Sequence, residues 1–239
     1  TRTGMYYAPY PLAMARGEGA YMWDLDGHRY RDYAGDFSAG LYGHSNATVH
    51  AAVREVLADG VTFGSASAHE AKLAALVCAR LPSIERVRFC NSGTEANIMA
   101  LVTANAVTGR DKIMVFEGAY HGGTLSFPPG GSPINVPFDF VLAPYNDIAG
   151  TNALFDEHGD SLSAVLVETM QGAGGCIPGD ADFLALVRER ATRHGAILVF
   201  DEVMTSRLGP NGRQGALGII PDMTTLGKYV GGGMTAGAF

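Results

Sequence analysis

The 239-residue sequence has few cysteines, no cluster of basic residues and no long apolar run. Its three cysteines, Cys78, Cys90 and Cys176, are too scattered for a disulfide framework or a zinc site, so we expect reduced thiols, no metal and a cytoplasmic protein. No stretch is long enough to span a membrane, and residues 1–20 lack the pattern of a signal peptide. A formal net charge of −7 without a run of Lys or Arg argues against binding to nucleic acid or to an acidic membrane.

The sequence is otherwise rich in apolar residues (47%) and in glycine (32 residues). Its length and apolar content are sufficient for one hydrophobic core, or for one domain with an appendage. From residue 87 onwards, short apolar runs alternate with helical patterns, which predicts a mostly parallel sheet with right-handed crossovers. The predicted strands are 87–90, 112–116, 140–143, 164–167, 197–200 and 223–226. Helices are predicted over about 47–58, 68–81 and 181–195, with another ending near Val107, and Tyr21–Tyr30 is predicted to form a β-hairpin with an Asp-Gly turn.

Polar residues follow the ends of two of these strands. Asp201 comes directly after Ile197–Phe200, and Lys228 closely follows Met223–Leu226. Ligands of open α/β sheets bind beyond the carboxyl ends of the strands, so we expect both side chains at the floor of a crevice. A buried carboxylate requires a cationic partner, and a desolvated lysine is a candidate nucleophile. Pyridoxal phosphate (PLP) requires such a pair, an acid against its pyridinium nitrogen and a lysine that forms a Schiff base, although each residue alone also fits an ordinary turn or loop.

Other strand ends carry further candidates. Ser92-Gly93-Thr94 stands where a strand meets a helix, and the N–H groups and the dipole of a helix start favour an anion such as phosphate. The alternative is ordinary capping of that helix. Tyr120, which precedes two glycines, could stack on a planar ring or be a buried core tyrosine, and Glu168 ends another apolar run. Polar groups collected at one edge of a sheet predict one composite site.

Motifs of other enzyme classes are absent. Gly227-Lys228 is not a P-loop, because Asp222 stands where the first glycine is required and Tyr229 follows the lysine. The sequence around Ser92 is not the nucleophile elbow of a hydrolase, since Cys90 occupies the first glycine position. Neither a P-loop nucleotide site nor this kind of hydrolase is therefore expected.

Five linked motifs resemble those of the class III (ω-amino acid type) aminotransferases of PLP fold type I. They are Asn91–Asn97, Tyr120–Gly122, Glu168 with Gln171, Asp201–Val203 and Leu226–Lys228, in that family's order and approximate spacing. The similarity covers almost the whole chain and is strongest to the branch that holds glutamate-1-semialdehyde aminomutase and the aromatic β-amino acid aminotransferases. It implies an α/β fold in which residues 61–239 form the PLP-binding large domain and residues 1–60 belong to a partial small domain. It also implies that the family's sequence continues beyond Phe239.

The same resemblance implies roles for individual residues. Lys228 is expected to form the Schiff base with PLP and to move the proton, while Asp201 pairs with the pyridine nitrogen. The other cofactor-binding residues are expected to be Ser92, Gly93 and Thr94 at the phosphate, Tyr120 and Val203 on the two ring faces, Gln171 at the ring hydroxyl, and His121. Arg2 is expected to bind a substrate carboxylate, and Glu168 to lie behind the residues that contact the cofactor.

The function implied by this resemblance is that of a homodimeric PLP-dependent aminotransferase. It moves an amino group from an amino acid, with a β-amino acid as the favoured donor, to a 2-oxo acid. Two alternatives remain open, an aminomutase on a similar scaffold and a truncated homologue without catalytic activity. The aminomutase usually has histidine where this sequence has Gly123, and Glu-Pro-Val-Ala-Gly in place of residues 168–172. These departures favour the aminotransferase.

Overall fold

The computed structural model of the chain describes residues 11–61 and 63–239. The chain divides into two compact units, Thr1–Ala66 and Ser67–Phe239, whereas the sequence analysis placed the division after residue 60. Arg2, the expected substrate-binding residue, lies outside the described residues. Within the two described ranges, no helix is both long and apolar enough to cross a membrane.

The described residues of the first unit form a small antiparallel sheet and one helix. Its strands are β1 (Met14–Glu18), β2 (Tyr21–Asp24) and β3 (Arg29–Arg31), in the order β1-β2-β3, and its helix is α1 (Ala47–Asp59). The predicted hairpin is confirmed, because β2 and β3 pair in antiparallel register. The Asp24 carboxylate holds the turn between them, since its Oδ1 accepts the His28 N–H and its Oδ2 accepts the Tyr30 hydroxyl at 2.7 Å.

The second unit alternates strands and helices, as the sequence predicts. Its helices are α2 (Ala68–Arg80), α3 (Gly93–Thr108), α4 (Ile148–His158), α5 (Ala181–His194) and α6 (Gly212–Leu217). Its strands are β4 (Phe89–Cys90), β5 (Lys112–Phe116), β6 (Asp139–Ala143), β7 (Leu162–Glu168), β8 (Met170–Gln171), β9 (Ile177–Pro178), β10 (Ile197–Asp201), β11 (Met223–Gly227) and β12 (Gly237–Ala238). Short 3-10 turns cover Gly159–Ser161, Thr205–Leu208 and Lys228–Gly231.

Seven of these strands form one sheet in the order β4-β12-β11-β10-β7-β5-β6. The five strands from β11 to β6 pair in parallel, whereas β12 runs antiparallel to both β11 and β4. The prediction of a mostly parallel α/β sheet is therefore confirmed. β8 and β9 form a separate two-stranded hairpin directly after β7.

Side chains of the central strands alternate between two apolar layers. In β5, Phe116 packs in a core cluster with Phe155 of α4 and Phe183 of α5. Its neighbour Val115 packs in a second cluster with Leu101 of α3. Successive residues of a strand point to opposite faces, so a strand with helices on both faces must be apolar at nearly every position. β7 illustrates this requirement, because all seven of its residues are buried.

The first strand of the large sheet is shorter than expected. The sequence predicts a strand over residues 87–90, but regular pairing with β12 covers only Phe89 and Cys90. The physical reason lies in the partner strand: among the residues that the structure describes, β12 is the one neighbour of β4, and it is two residues long. Arg88 nevertheless exchanges backbone hydrogen bonds with Phe239, at 2.9 and 3.1 Å.

Candidate active site

The carboxyl ends of β7, β10 and β11 bring three polar side chains to one level of the sheet. Asp201, the last residue of β10, is the register partner of Glu168 on β7 and of Thr225 on β11. Lys228 comes directly after the end of β11. The parallel register therefore places Asp201, Glu168 and Lys228 at the same edge of the sheet.

The Asp201 carboxylate is buried and accepts three hydrogen bonds. Its Oδ2 accepts from Nδ2 of Asn97 at 2.9 Å and from Nδ1 of His121 at 2.8 Å, and its Oδ1 accepts from the Val203 N–H at 3.0 Å. Burial by itself raises the pKa of this carboxyl group. His121, the Val203 N–H and the positive charge of Lys228 oppose that effect and lower the pKa overall, so the group is an anion at neutral pH.

Asn97, in the first half of α3, connects this carboxylate to two other parts of the site. Its Nδ2 donates to the His121 carbonyl at 2.9 Å as well as to Asp201, and its Oδ1 accepts from the Thr225 hydroxyl at 2.7 Å. Only 1% of Asn97 is exposed. The sequence analysis included it in a motif but gave it no role. The available signal was an amide on the helix face that also carries the buried alanines of α3.

His121 is fully enclosed, with no exposed side-chain surface. Its Nδ1 faces the Asp201 carboxylate, so this nitrogen carries a proton whenever Asp201 is ionised. Its Nε2 is buried and has no hydrogen-bond partner within the described part of the chain. Buried polar atoms are nearly always paired in ordinary cores, so this unpaired Nε2 requires an explanation, and a polar ligand beside Asp201 would supply one.

Glu168 connects the backbone of two separate segments, at Tyr120 and at Gly172. Its Oε2 accepts the Tyr120 N–H and its Oε1 accepts the Gly172 N–H, both at 3.0 Å. Burial raises the pKa of this carboxyl group, and the negative charge of Asp201 adds to the effect. His121 and the two N–H donors act in the opposite direction, but the pKa of Glu168 stays raised overall. Glu168 therefore sets the position of the Tyr120 loop through its backbone.

Lys228 has a backbone conformation that non-glycine residues rarely adopt. Its φ is +56°, and it begins the 3-10 turn that follows β11. A left-handed conformation at such a residue costs of order 1–2 kcal/mol. Strain of this kind concentrates at functional sites. The side chain is half-buried, and its positive charge contributes to the lowered pKa of Asp201.

The start of α3 carries the hydroxyl groups that the sequence suggests for anion binding. Ser92 caps the helix: its Oγ accepts the Glu95 N–H at 3.1 Å, which leaves the hydroxyl hydrogen able to donate. Thr94 Oγ1 accepts the Gly123 N–H at 3.3 Å. At the neighbouring Gly122, φ is +133° and an added Cβ would overlap the Thr94 side chain, so only glycine fits. The structure thus brings the helix dipole, two hydroxyls and a glycine loop together.

Tyr120, Val203 and Gln171 differ in their surroundings. Tyr120 is 44% exposed, so it is not a core tyrosine. Val203 packs against the start of α3, where a Cβ added to Gly93 would lie 2.8 Å from Val203 Cγ2. Gln171 is buried, and its Nε2 donates to the Glu117 carbonyl at 2.7 Å. One N–H of the Gln171 amide is therefore already bound to the backbone.

The family model of class-III aminotransferases matches residues 5–239 of this chain. The chain therefore belongs to the class-III aminotransferase family, whose members depend on PLP. The resemblance seen in the five sequence motifs is confirmed, and so is the fold that it implies.

Named relatives make the relationship more specific. The β-phenylalanine transaminase of Variovorax paradoxus is 55% identical over 239 residues, which is 100% of this chain and 55% of that protein. A crystal structure of a β-phenylalanine aminotransferase from the same organism matches with a TM-score of 0.96 at 55% identity, over 100% of this chain and 55% of the other. The glutamate-1-semialdehyde 2,1-aminomutase of Dichelobacter nodosus is 43% identical over 245 residues, which is 96% of this chain and 57% of that protein. The chain spans about half the length of the curated relatives it matches.

The residues at this edge of the sheet fit PLP. The cofactor needs an acid at its ring nitrogen, an amine for covalent attachment and an anion site for its phosphate. Asp201 is a buried anion, the half-buried Lys228 acts on it through its positive charge, and the Ser92 hydroxyl lies at the start of α3. The unpaired Nε2 of His121 is consistent with a polar site rather than a closed core.

Proposed function

We propose that this protein is a PLP-dependent aminotransferase that moves an amino group from an amino acid to a 2-oxo acid. The donor is a β-amino acid with an aromatic or aliphatic side chain. The observation that carries the proposal is the buried Asp201 carboxylate, which accepts hydrogen bonds from Asn97 and His121 and is kept an anion by His121, the Val203 N–H and the charge of Lys228. Family membership supports the reaction, and 55% identity to a β-phenylalanine transaminase supports the class of donor.

When bound, PLP supplies an electron sink for the negative charge that develops on the carbon beside the amino group. Asp201 would keep a proton on the ring nitrogen, because an adjacent anion favours the protonated form of that nitrogen. Lys228 would hold the cofactor covalently, and its amine would move the proton at the reacting carbon. The burial of Asp201 excludes water from its carboxylate, which strengthens its electrostatic effect.

The remaining residues bind and orient the cofactor and the substrate. Ser92, Gly93 and Thr94 would bind the phosphate at the start of α3, where the helix dipole favours an anion. The Tyr120 ring, which is half-exposed, would stack on one face of the cofactor ring, and Val203 would pack on the other. The other assignments are Gln171 at the ring hydroxyl, His121 beside Asp201, Glu168 behind the Tyr120 loop, and Arg2 at a substrate carboxylate.

The domain assignment is part of the same proposal. Residues 61–239 serve as the PLP-binding large domain, and residues 1–60 belong to a small domain. The protein acts as a homodimer in the cytoplasm. Family likeness supports the dimer, and the free Cys78, Cys90 and Cys176 support a reducing compartment.

Borohydride reduction tests the covalent attachment. The chain has only three lysines, Lys72, Lys112 and Lys228. Lys72 is exposed, and Lys112 is paired with Asp139 at 2.6 Å, so both serve as internal controls for unspecific labelling. After incubation with PLP we expect a yellow absorption band and, after reduction, a phosphopyridoxyl mass increase on the Lys228 peptide. Equal labelling of all three lysines, or no band at all, would overturn the proposal and favour a non-catalytic homologue.

Transfer is then measured with an aromatic β-amino acid as donor and a 2-oxo acid as acceptor. We expect a new amino acid to form from the acceptor only when both substrates are present. The Lys228→Ala variant is the negative control, and an α-amino acid donor of the same side chain tests the preference for β-amino acids. Binding of PLP without transfer from any donor would contradict the proposed activity.

An aminomutase is the second candidate, because 43% of the matched residues are identical to a glutamate-1-semialdehyde 2,1-aminomutase. An aminomutase rearranges a single substrate and needs no acceptor. Conversion of glutamate 1-semialdehyde in the absence of any 2-oxo acid would favour it. Product formation that depends strictly on an added 2-oxo acid would exclude it.

A further inference from the structure

We propose that Asn97 is the positioning residue that holds Asp201 ionised and aligned for the cofactor, an inference that rests on the proposed PLP-dependent function. The three polar partners of its side chain all belong to the site: Oδ2 of Asp201, the His121 carbonyl and the Thr225 hydroxyl. The orientation of the amide is fixed. Two of its partners accept hydrogen bonds only, so Nδ2 must face them and Oδ1 must face the hydroxyl.

Asn97 joins elements that the chain brings together from distant positions. It lies on α3, Asp201 ends β10, His121 lies in the loop after β5, and Thr225 lies on β11, the strand that leads to Lys228. Removal of the amide would leave His121 as the one side-chain donor to Asp201 Oδ2 within the described ranges. It would also remove the hydrogen bond that the His121 carbonyl accepts from Asn97. The Asp201 carboxylate and the His121 residue would then each lose one hydrogen bond.

Asn97 differs from the charged groups around Asp201. The groups that act on this carboxylate are His121, which favours the anion, Lys228, which also favours it, and Glu168, whose negative charge opposes it. The effect of Glu168 changes as this carboxyl group gains or loses a proton. The Asn97 amide does not titrate, so its N–H stabilises the anion over the whole pH range.

The pH dependence of PLP binding tests this role. In Asn97→Ala, Asp201 loses a donor, so its pKa should rise and it should lose its charge at a higher pH. PLP affinity is measured by absorption with the full chain at a series of pH values, and the acid limb is the pH range over which affinity falls as the pH is lowered. We expect this limb to lie about one pH unit higher in Asn97→Ala, so that affinity at a given pH on the limb is about tenfold weaker. Asn105→Ala is the matched control. Asn105 lies on the same helix, and its Oδ1 accepts the Ser163 hydroxyl at 2.7 Å, as Asn97 accepts from Thr225.

The ring nitrogens of His121 give a second readout that needs no cofactor. NMR of the cofactor-free chain with nitrogen-15 histidine should show His121 protonated at Nδ1 in the native protein and in Asn105→Ala. In Asn97→Ala we expect the His121 Nδ1 signal to shift, because the Asp201 carboxylate and the His121 carbonyl each lose the donor that Asn97 supplies. Thr225→Val keeps the side-chain shape but removes the hydroxyl that fixes the Asn97 amide, so it should change the His121 signals in the same direction, by less. It also provides the test if Asn97→Ala does not fold.

The outcomes separate this inference from the proposed function. If Asn97→Ala and Thr225→Val keep both the native acid limb and the native His121 signals, Asn97 has no positioning role. If both variants lose stability but neither readout moves, Asn97 is structural only and the inference is overturned. If the native chain does not bind PLP, the proposed function fails, while the NMR comparison still decides whether Asn97 positions the Asp201–His121 pair.

Discussion

Glu168 and Asp201 are register partners on adjacent parallel strands, so two carboxyl groups lie at the same edge of the sheet. Their surroundings move their pKa values apart: the pKa of Asp201 is lowered, chiefly by His121 acting against burial, and burial raises the pKa of Glu168. Pairs of acids that are separated in this way are typical of catalytic sites. The arrangement suits one permanent anion and one acid that is sensitive to pH.

Glu168→Gln should gain stability relative to the native protein as the pH rises. The pKa of Glu168 is raised in the folded state, so this group stabilises the fold below its unfolded pKa of about 4.3, and that stabilisation is lost as the pH rises through the folded pKa. Glutamine does not ionise and has no such loss. Urea unfolding at a series of pH values from about 4 to 8 measures the difference in free energy of unfolding. A difference that stays constant over this range would contradict the raised pKa.

Lys228→Gly should be more stable than Lys228→Ala by about 1 kcal/mol, because φ of +56° is strained for alanine and not for glycine. Both variants lack the amine, so their difference isolates the backbone. Lys112, which begins β5, is the control position. There glycine should be less stable than alanine by about 0.5–1 kcal/mol. Urea unfolding measures the stability of both pairs of variants. If alanine is more stable than glycine at both positions, the left-handed conformation of Lys228 is contradicted.

Much of the fold could be predicted because its signals are local. The bounds of β5 follow directly from Lys112 and the apolar residues up to Phe116 that come after it. For α2, Ser67 caps the start of the helix and Pro82 follows its end. The length of β4 could not be predicted, because it depends on pairing with β12, at the far end of the chain. Strand pairing across such a distance leaves no mark in the local sequence pattern.

The site was predictable only in part, for a similar reason. Asp201 and Lys228 stand at strand ends, and the topology of a parallel sheet predicts that such positions meet. The role of Asn97 depends on partners that are 24, 104 and 128 residues away, which no periodic pattern reveals. Ser92 shows a second limit: capping and anion binding require the same residue at the same place, so the sequence left both open.

Glu202→Gln should destabilise the protein by about 1–3 kcal/mol. The Glu202 carboxylate is fully buried beside Asp201, where its Oε2 accepts the Arg213 N–H at 2.7 Å and its Oε1 accepts the Gln214 N–H at 2.9 Å. An amide in its place would turn an N–H₂ group towards one of these donors. Glu189→Gln is the control, because that side chain is exposed and should change stability by less than about 0.5 kcal/mol. Equal losses in urea unfolding would show that the buried contacts are not important.

Gly93→Ala should destabilise the protein by about 1–3 kcal/mol and weaken PLP binding, because the added Cβ would lie 2.8 Å from Cγ2 and 3.0 Å from Cγ1 of Val203. Val203→Ala removes both methyl groups, so the double variant should be more stable than the sum of the two single losses predicts, by about 1 kcal/mol. Gly123→Ala is the control, since a Cβ there meets no atom within 4 Å. Urea unfolding of the native protein, both single variants and the double variant gives the coupling energy. Additive losses would mean that Val203 does not fill the space beside Gly93, and its proposed place on a cofactor face would lose its structural basis.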